Sequence, residues 1–203
     1  MRRSPPSDQR GASARTLRII GGAWRGRRLR FPPAQDIRPT PDRVRETLFN
    51  WLAARVPGAS CLDLFAGSGA LGLEALSRGA ARLTFVESDR SAAGEIAARL
   101  KEWGAHGARV ENVDARRFLE RPPAEPFDIV FLDPPFASAL LAETAGRLEQ
   151  SGWLANDALI YIECPADREP PALPLAWTPL KAKRAGEVGY HLYSRAERGT
   201  RIE

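Results

Sequence analysis

The sequence has little cysteine, no long apolar run and no lysine in its first 55 residues. Two cysteines, Cys61 and Cys164, are too few and too unpatterned for a disulfide framework or a metal centre. No apolar stretch approaches the roughly 18 residues that a membrane-spanning helix needs, and the basic N-terminus lacks the apolar segment of a signal peptide. These absences predict a cytoplasmic protein without a metal ion or membrane anchor. Its 203 residues suffice for one domain with an appendage.

The N-terminal quarter has the opposite charge from the rest of the chain. Residues 1–55 hold 13 arginines against four acidic residues, so they carry +9, while the remainder carries −4 within a total of +5. Such asymmetry favours a basic end that binds a polyanion; a merely solvated arginine-rich tail is the alternative. Residues 1–16 are poor in apolar side chains and are predicted to be a disordered tail.

A basic ribbon is predicted after this tail. Two short strands, Leu17–Ile20 and Arg27–Phe31, flank the glycine-containing connection 21–26, which is typical of a hairpin. Arginines with an aromatic residue suit phosphate contacts and base stacking in a nucleic acid; an arginine-fringed hairpin folded back on the body is the alternative. The RNA-binding candidates are Arg18, Trp24, Arg25, Arg27, Arg28 and Arg43, with Arg30 on the same ribbon.

Residues 38–52 predict a helix with a clear start. Thr40 is expected to be its N-cap, Pro41 fits the first turn and Asp42 complements the helix dipole. Apolar residues at helical spacing supply a buried face. The charged residues left over, Arg45 among them, are expected to be solvated.

From residue 60 onward, apolar strands alternate with helical patterns, which indicates right-handed βαβ units and a doubly wound parallel sheet. A last pair of strands, separated only by 184–187, must pair as an antiparallel hairpin because no crossover helix fits between them. The predicted strands are 60–66, 83–86, 110–113, 127–132, 159–163, 177–181 and 188–193, and the predicted helices end at Ser77 or span 90–103, 115–119 and 139–150.

A glycine loop follows the first of these strands. Gly67, Gly69 and Gly72 fit the pattern Gly-x-Gly-x-x-Gly, and Glu87 ends the next strand, which indicates a nucleotide whose ribose hydroxyls bind the acid. NAD and S-adenosylmethionine sites share this pattern. Asp63, four residues before Gly67, would repel a pyrophosphate but attract the ammonium group of a methionine moiety. S-adenosylmethionine is therefore the better fit.

Further cofactor contacts are predicted at the same edge of the sheet. Asp114 could accept a hydrogen bond from an adenine amino group, with Ala115 supplying a backbone donor. Asp114 could also serve as the N-cap of the short helix after it, and the two roles are compatible. Phe65, between Asp63 and the glycine loop, is the remaining candidate for the cofactor site.

The most informative stretch is Asp133-Pro134-Pro135-Phe136 at the end of an apolar strand. The prolines end the strand, which leaves a carboxylate, a stiff turn and a ring where ligands bind in open α/β sheets. The Asp133 carboxylate and the Pro134 carbonyl could accept the protons of an exocyclic amine and free its lone pair, and Asp133 could act as a general base. Phe136 could stack on the base.

On these motifs the chain resembles the bacterial 16S ribosomal RNA guanine-N2 methyltransferases that modify guanine 966. The resemblance runs from about Arg18 to Arg195, and its most specific parts are the blocks 18–27 and 38–52. It implies a Rossmann-like class I methyltransferase fold with a mostly parallel seven-stranded sheet, S-adenosylmethionine as donor, and N2-methylguanine as product. It also implies 16S rRNA in the assembled or assembling small subunit as substrate, bound by a monomer.

The predicted organisation is a tail (1–16), an RNA-binding hairpin and helix (17–56), a catalytic domain (57–195) and a C-terminal tail (196–203). Two other functions compete with rRNA methylation. An N6-adenine DNA methyltransferase would use the same motif, although the chain has no obvious target-recognition domain. A noncatalytic RNA-binding assembly factor would retain the fold alone.

Overall fold

The computed structural model describes residues 15–31, 40–135 and 139–196, and the side chains of 16–29, 40–135 and 139–196. Several predictions from the sequence fall outside these ranges. They concern the tails 1–14 and 197–203, the side chain of Arg30, the residues Arg38 and Pro39, and Phe136.

A seven-stranded sheet forms the centre of the molecule, with the strand order β5-β4-β3-β6-β7-β9-β8. Strands β3 to β7 run parallel, while β9 pairs antiparallel with both β7 and β8. This confirms the predicted doubly wound sheet with its C-terminal hairpin. The strands are β3 (Ser60–Asp63), β4 (Arg82–Val86), β5 (Ala108–Glu111), β6 (Phe127–Leu132), β7 (Leu154–Pro165), β8 (Trp177–Ala185) and β9 (Val188–Arg195).

Helices cover both faces of the sheet and bury a separate apolar cluster on each. One cluster joins the sheet to α1 (Asp42–Trp51), α2 (Ala70–Ser77) and α3 (Arg90–Glu102). The other joins it to α4 (Ala115–Leu119) and α5 (Leu140–Gln150). Because each parallel crossover returns the chain to the same end of the sheet, the carboxyl ends of β3 to β7 lie along one edge.

The largest extensions beyond the predicted bounds occur in β7 and β8, whereas β3 is shorter than predicted and ends at Asp63 rather than at Ala66. Strand β7 begins at Leu154 rather than at the predicted Leu159, and β8 continues to Ala185 rather than ending at Lys181. Neither extension shows an apolar pattern in the sequence. In β7 the added residues include the exposed Asn156 and Asp157, and β8 is an edge strand whose residues after Trp177 are exposed or half-buried. Among the described residues, no helix combines the length and apolar character needed to cross a membrane.

A small separate hairpin precedes the main sheet. It consists of β1 (Arg15–Arg18) and β2 (Arg28–Phe31), which pair antiparallel with Leu17 opposite Leu29. Both leucines are buried in the cluster formed with α1, α2 and α3. The hairpin is therefore part of the packed body. Its first strand begins at Arg15 rather than at the predicted Leu17, so Arg15 and Thr16, which the sequence assigns to the disordered tail, belong to β1.

The start of α1 differs from the prediction. Pro41, not Thr40, occupies the N-cap position, and it makes no side-chain capping bond because it has no suitable group. Thr40 is buried instead, and its hydroxyl donates to Glu163 on β7 at 3.0 Å. Tertiary contact with the sheet thus takes the hydroxyl that the sequence pattern assigns to the helix end.

Candidate active site

The carboxyl edge of the parallel sheet brings together acidic residues from four strands. Asp63 ends β3, Glu87 follows β4, Asp133 follows β6 and Glu163 lies near the end of β7. Strands β4, β3, β6 and β7 are consecutive neighbours in the sheet. The edge therefore collects the predicted cofactor residues and the Asp133 motif side by side, where open α/β sheets bind ligands.

The glycine loop is held in place by Glu87. Its carboxylate accepts a hydrogen bond from the Gly67 N–H at 2.7 Å through Oε2 and from the Asp89 N–H at 2.7 Å through Oε1. Glu87 is half-buried, as are Gly67 and Ser68. The acid thus connects the loop after β3 to the start of α3 and remains accessible at the edge.

Gly69 explains the shape of this loop. Its φ of +75° lies in the left-handed region, and it forms the N-cap of α2. A Cβ added there would lie 3.0 Å from the Ile96 side chain. A glycine therefore suits both the backbone conformation and the close packing against α3.

Asp63 is the most deeply buried of the predicted cofactor residues, with 2% of its surface exposed. Its Oδ2 accepts a hydrogen bond from the Gly72 N–H in the first turn of α2 at 3.0 Å. Burial raises the pKa of its carboxyl to about 7, and nearby Glu87 and Glu163 act in the same direction. The structure therefore gives Asp63 a contact with α2 that the sequence did not predict.

Asp114 forms the N-cap of α4, so the structural one of its two predicted roles is confirmed. Its Oδ1 accepts from the Arg116 N–H at 2.9 Å, and its hydrogen bonds with the Arg116 side chain hold the pKa of the carboxyl below its ordinary value. Ala115 next to it is buried, and Phe65 is half-buried against the α4–α5 cluster. The adjacent Asn112, which sequence reasoning missed, donates to the Glu87 and Ser88 carbonyls and joins β5 to β4.

Asp133 is half-buried immediately after β6, with Pro134 buried and Pro135 exposed. Burial raises the pKa of its carboxyl well above the ordinary value, and Glu163 and Asp63 raise it further, while the nearby Thr40 hydroxyl lowers it. A carboxyl in this environment can titrate far closer to neutrality than a solvated one. The arrangement provides a proton acceptor at the surface of the edge.

Glu163 is the main site residue that sequence reasoning missed. It is 3% exposed, and its Oε1 accepts from the hydroxyls of Tyr161 at 2.8 Å and Thr40 at 3.0 Å. One signal in the sequence could have found it: like Asp133, Glu163 ends an apolar strand segment of the parallel sheet. Two such acids on neighbouring strands must meet at the same edge.

The predicted ribbon lies on the same face of the sheet as α1 and α2, but its turn lies at the amino ends of the parallel strands, opposite their carboxyl ends. The Ala23 N–H donates to the Ser77 carbonyl at 2.7 Å, at the end of α2, where the chain leads into the amino end of β4. Trp24 is half-buried with its ring 5.2 Å from that of Trp103. Arg27 places its guanidinium over the same Trp103 ring. The tip is thus folded onto the body, as the alternative interpretation holds, and is not beside Asp133.

The arginines of the ribbon nevertheless remain at the surface. Arg18, Arg25, Arg27 and Arg28 are exposed. Arg43, in the first turn of α1, is also exposed, and it lies near the carboxyl edge because Thr40 contacts Glu163 there.

Arg45 contradicts the expectation that the charges of α1 are solvated. It is fully buried, and its guanidinium donates to Asp42 at 2.6 Å, Glu74 at 3.3 Å and the Arg18 carbonyl at 2.8 Å. Glu74 is also fully buried and accepts from the Ile20 and Gly21 N–H groups at 2.8 Å. This buried network connects the hairpin to α1 and α2, since neither charge could stay buried without such partners.

Comparison with known proteins places this chain in a family. The family model described as conserved hypothetical protein 95 matches residues 17–194. The chain belongs to this family. It is 51% identical over 183 residues to ribosomal RNA small subunit methyltransferase D of Escherichia coli K12, which covers 90% of this chain and 92% of that protein.

Solved structures agree with this assignment. The yhhF protein of Escherichia coli superposes with a TM-score of 0.83 at 51% identity, covering 90% of this chain and 99% of that one. An RNA methyltransferase from Salinibacter ruber, solved with S-adenosyl-L-homocysteine, has a TM-score of 0.61 at 18% identity and covers 81% of this chain and 97% of that one. At that identity it shows a shared fold. The predicted Rossmann-like methyltransferase architecture is confirmed.

Proposed function

We propose that this protein transfers a methyl group from S-adenosylmethionine to the exocyclic N2 amine of a guanine in 16S rRNA. The substrate is the assembled or assembling small ribosomal subunit, and the enzyme acts as a monomer in the cytoplasm. One observation carries the proposal: the glycine loop after β3 and the Asp133-Pro134-Pro135 turn after β6 lie on neighbouring strands at the same edge. The similarity to an rRNA small subunit methyltransferase identifies the class of RNA.

The residues of the loop and the adjacent strand ends fit the donor. Gly67 and Gly69 shape a backbone turn that an adenosyl moiety can approach, and half-buried Glu87 remains available to ribose hydroxyls. Asp63 supplies a negative charge beside the methionine ammonium group once the donor is bound, because that cation favours ionisation of a carboxyl whose pKa is otherwise raised to about 7. Phe65, Asp114 and Ala115 complete the adenosine side. When bound, the sulfonium supplies a methyl group with an already cationic leaving group, so the chemistry requires no metal ion.

Asp133 and Pro134 act on the acceptor. The amine nitrogen of guanine is a poor nucleophile because its lone pair is delocalised into the ring. Hydrogen bonds from its two N–H groups to the Asp133 carboxylate and the Pro134 carbonyl favour a pyramidal nitrogen. The nitrogen then forms a bond to the methyl carbon as the carbon–sulfur bond breaks, and the extra N–H proton passes to Asp133, directly or through water. The guanine must leave its own base stack to enter the site. The sequence motif assigns stacking on the guanine to Phe136, which lies outside the described residues.

RNA binding falls to the exposed arginines of the N-terminal region. Arg18, Arg25, Arg27 and Arg28 on the ribbon and Arg43 on α1 supply phosphate contacts. Trp24 packs on Trp103 and contributes its remaining exposed edge. Contacts spread over both edges of the sheet suit a large folded RNA better than a short strand.

The decisive experiment uses a donor labelled in its methyl group and small subunits from cells that lack this methylation. Nucleoside analysis should find the label in N2-methylguanosine. Asp133→Ala should reduce the rate of transfer by at least about 100-fold and leave donor affinity, measured by calorimetry, unchanged. Asp157→Ala, a change at an exposed acid in the amino-terminal part of β7 and away from the carboxyl ends of the strands, is the matched control and should transfer normally.

Other outcomes identify the competing functions. Label in N6-methyladenine of duplex DNA would make the protein a DNA methyltransferase. A protein that binds subunits tightly but transfers no label, with Asp133→Ala indistinguishable from the parent, would be an assembly factor that retains only the fold.

A further inference from the structure

Glu163 and Asp133 are immediate neighbours on adjacent parallel strands. The register of β6 and β7 pairs Phe131 with Tyr161 and Leu132 with Ile162, so the next residues along the two strands are Asp133 and Glu163. Both side chains therefore project from the same face of the sheet, because equivalent positions of paired strands share a face. Glu163 is buried behind the half-exposed Asp133.

The hydrogen-bond partners of Glu163 are neutral. Its Oε1 accepts from the Tyr161 hydroxyl at 2.8 Å and the Thr40 hydroxyl at 3.0 Å. Arg45, which donates to the Thr40 carbonyl, forms its ion pairs with Asp42 and Glu74. Among the described residues, these two hydroxyls stabilise the carboxylate without supplying a positive charge. That charge acts on whatever ionises next to it.

Other ionisable groups near this carboxyl pair make it harder for both carboxyls to ionise. Asp63 approaches from β3, Tyr161 lies on β7 itself, and Tyr190 is the register partner of Glu163 on β9. Burial raises the pKa of both Asp133 and Glu163, and Glu163 is the largest electrostatic contributor to the shift at Asp133. Two adjacent buried carboxyls do not both ionise readily. The hydrogen bonds favour the negative charge on Glu163, because the hydroxyls of Tyr161 and Thr40 both donate to its carboxylate and the single Thr40 proton cannot serve Asp133 at the same time.

We propose that Glu163 is a positioning residue for methyl transfer, which holds Thr40 and Tyr161 at the acceptor side and sets the pH at which Asp133 becomes ionised. The inference rests on the proposed function, because it requires an ionised Asp133 to accept the amine hydrogen bond. The rate of methyl transfer falls at low pH as Asp133 becomes protonated, and we call this part of the pH profile the acid limb. Under the proposal, its position depends on both carboxyls of the pair rather than on Asp133 alone. Glu163 touches neither the donor nor the guanine in this role.

Glu163→Gln tests the proposal because it removes the charge but keeps the volume and an oxygen that can accept from Tyr161 and Thr40. The measurement is the single-turnover rate of methyl transfer across pH, which separates chemistry from product release. Loss of a neighbouring negative charge lowers the pKa of Asp133. The acid limb of the variant should therefore move to lower pH by about one unit or more, with donor affinity unchanged. Glu163→Asp restores the charge and should move the limb back toward the parent.

A second variant keeps the test informative if Glu163→Gln folds poorly. Tyr161→Phe removes one donor from Glu163 with almost no change in shape, so the shared proton moves toward Glu163 and Asp133 ionises more readily. Its acid limb should shift in the same direction by a smaller amount. If the acid limbs of both variants lie at the same pH as that of the parent, with only the maximal rate reduced, the proposal is overturned and Glu163 has a structural role.

Failure of this inference is distinguishable from failure of the proposed function. A parent enzyme that methylates guanine and depends on Asp133, with an unshifted limb in the Glu163 variants, contradicts only the inference. A parent enzyme without activity, or an Asp133→Ala variant that retains it, contradicts the proposed function before Glu163 is considered.

Discussion

At the scale of single residues, the site depends on carboxyls held where they ionise with difficulty. Asp63 is the clearest case, since it is almost fully buried and its pKa is raised to about 7. Its contact with the Gly72 N–H supports the carboxylate but does not outweigh burial. A buried acid with a raised pKa is a common feature of functional sites and has a stability cost above its ordinary titration range.

We predict that Asp63→Asn makes the stability of the folded protein less sensitive to rising pH. In the unfolded chain Asp63 ionises near its ordinary pKa of 3.8, whereas in the folded protein it stays protonated up to about pH 7. The folded state thus binds the extra proton between these values, and the parent loses stability as pH rises through that window. Relative to that of the parent, the free energy of unfolding of the variant should rise by as much as about 4 kcal/mol between pH 4 and pH 7, at about 1.4 kcal/mol per pH unit.

Urea unfolding of donor-free protein at several pH values measures this difference. Asp167→Asn, a change at an exposed acid, should track the parent throughout and serves as control. A constant stability difference between Asp63→Asn and the parent from pH 4 to pH 7 would mean that Asp63 is ionised in the folded protein across that range.

At the scale of elements, the glycine loop works because α2 packs unusually close to β4. A Cβ added at Gly72 would lie 2.2 Å from a ring carbon of Phe85 and 2.9 Å from the Leu83 side chain. No real side chain fits there without movement of the helix or the strand. The third glycine of the motif therefore serves packing, and the first two shape the loop after β3.

Gly72→Ala should destabilise the protein by about 1–3 kcal/mol because it overpacks the contact between α2 and β4. Gly94→Ala is the matched control: it makes the same change in α3, at an exposed position where an added Cβ meets nothing within 4 Å. That variant should be more stable by about 0.5–1 kcal/mol, since alanine favours a helix interior over glycine. Denaturant titration of both variants measures the sign of each change in the free energy of unfolding. Equal changes would show that helix propensity rather than packing determines the effect at Gly72.

Sequence patterns predicted those elements whose signals are local. Helix α4 and strand β6 have the predicted bounds, because a strand-end acid and a pair of prolines mark their limits. Patterns failed where the deciding contact is distant in the chain. Thr40 caps no helix because Glu163 takes its hydroxyl, and Arg45 is buried because Glu74 and the Arg18 carbonyl are available to it.

The same distinction applies to the site. Asp133, Glu87 and Gly67 belong to recognisable local motifs, and the structure collects all three at one edge. Glu163 has no motif of its own, so only the register of β6 and β7 reveals that it adjoins Asp133. Sequence reasoning could identify the chemistry at this edge, but it could not supply the neighbours that tune it.

At the scale of the whole molecule, the turn of the ribbon and the site at Asp133 are at opposite ends of the strands. Strands of five or six residues span about 17–20 Å, so RNA bound at Asp133 must extend across the α1–α2 face to reach the hairpin turn. A folded RNA domain covers that distance readily, whereas a short oligonucleotide held at the site does not. The ribbon should therefore distinguish the two kinds of substrate.

We predict that the combined change Arg25→Ala, Arg27→Ala and Arg28→Ala weakens binding to small subunits but leaves methyl transfer to a short guanine-containing oligonucleotide nearly unchanged. The dependence of subunit affinity on salt should also flatten, by up to about three counterions. The control is Lys181→Ala, Lys183→Ala and Arg184→Ala, which removes the same charge from exposed positions of the edge strand β8 and should weaken binding less. Equal losses in the two triple variants would show that net charge alone matters, and a loss of donor affinity in the first would make the ribbon structural.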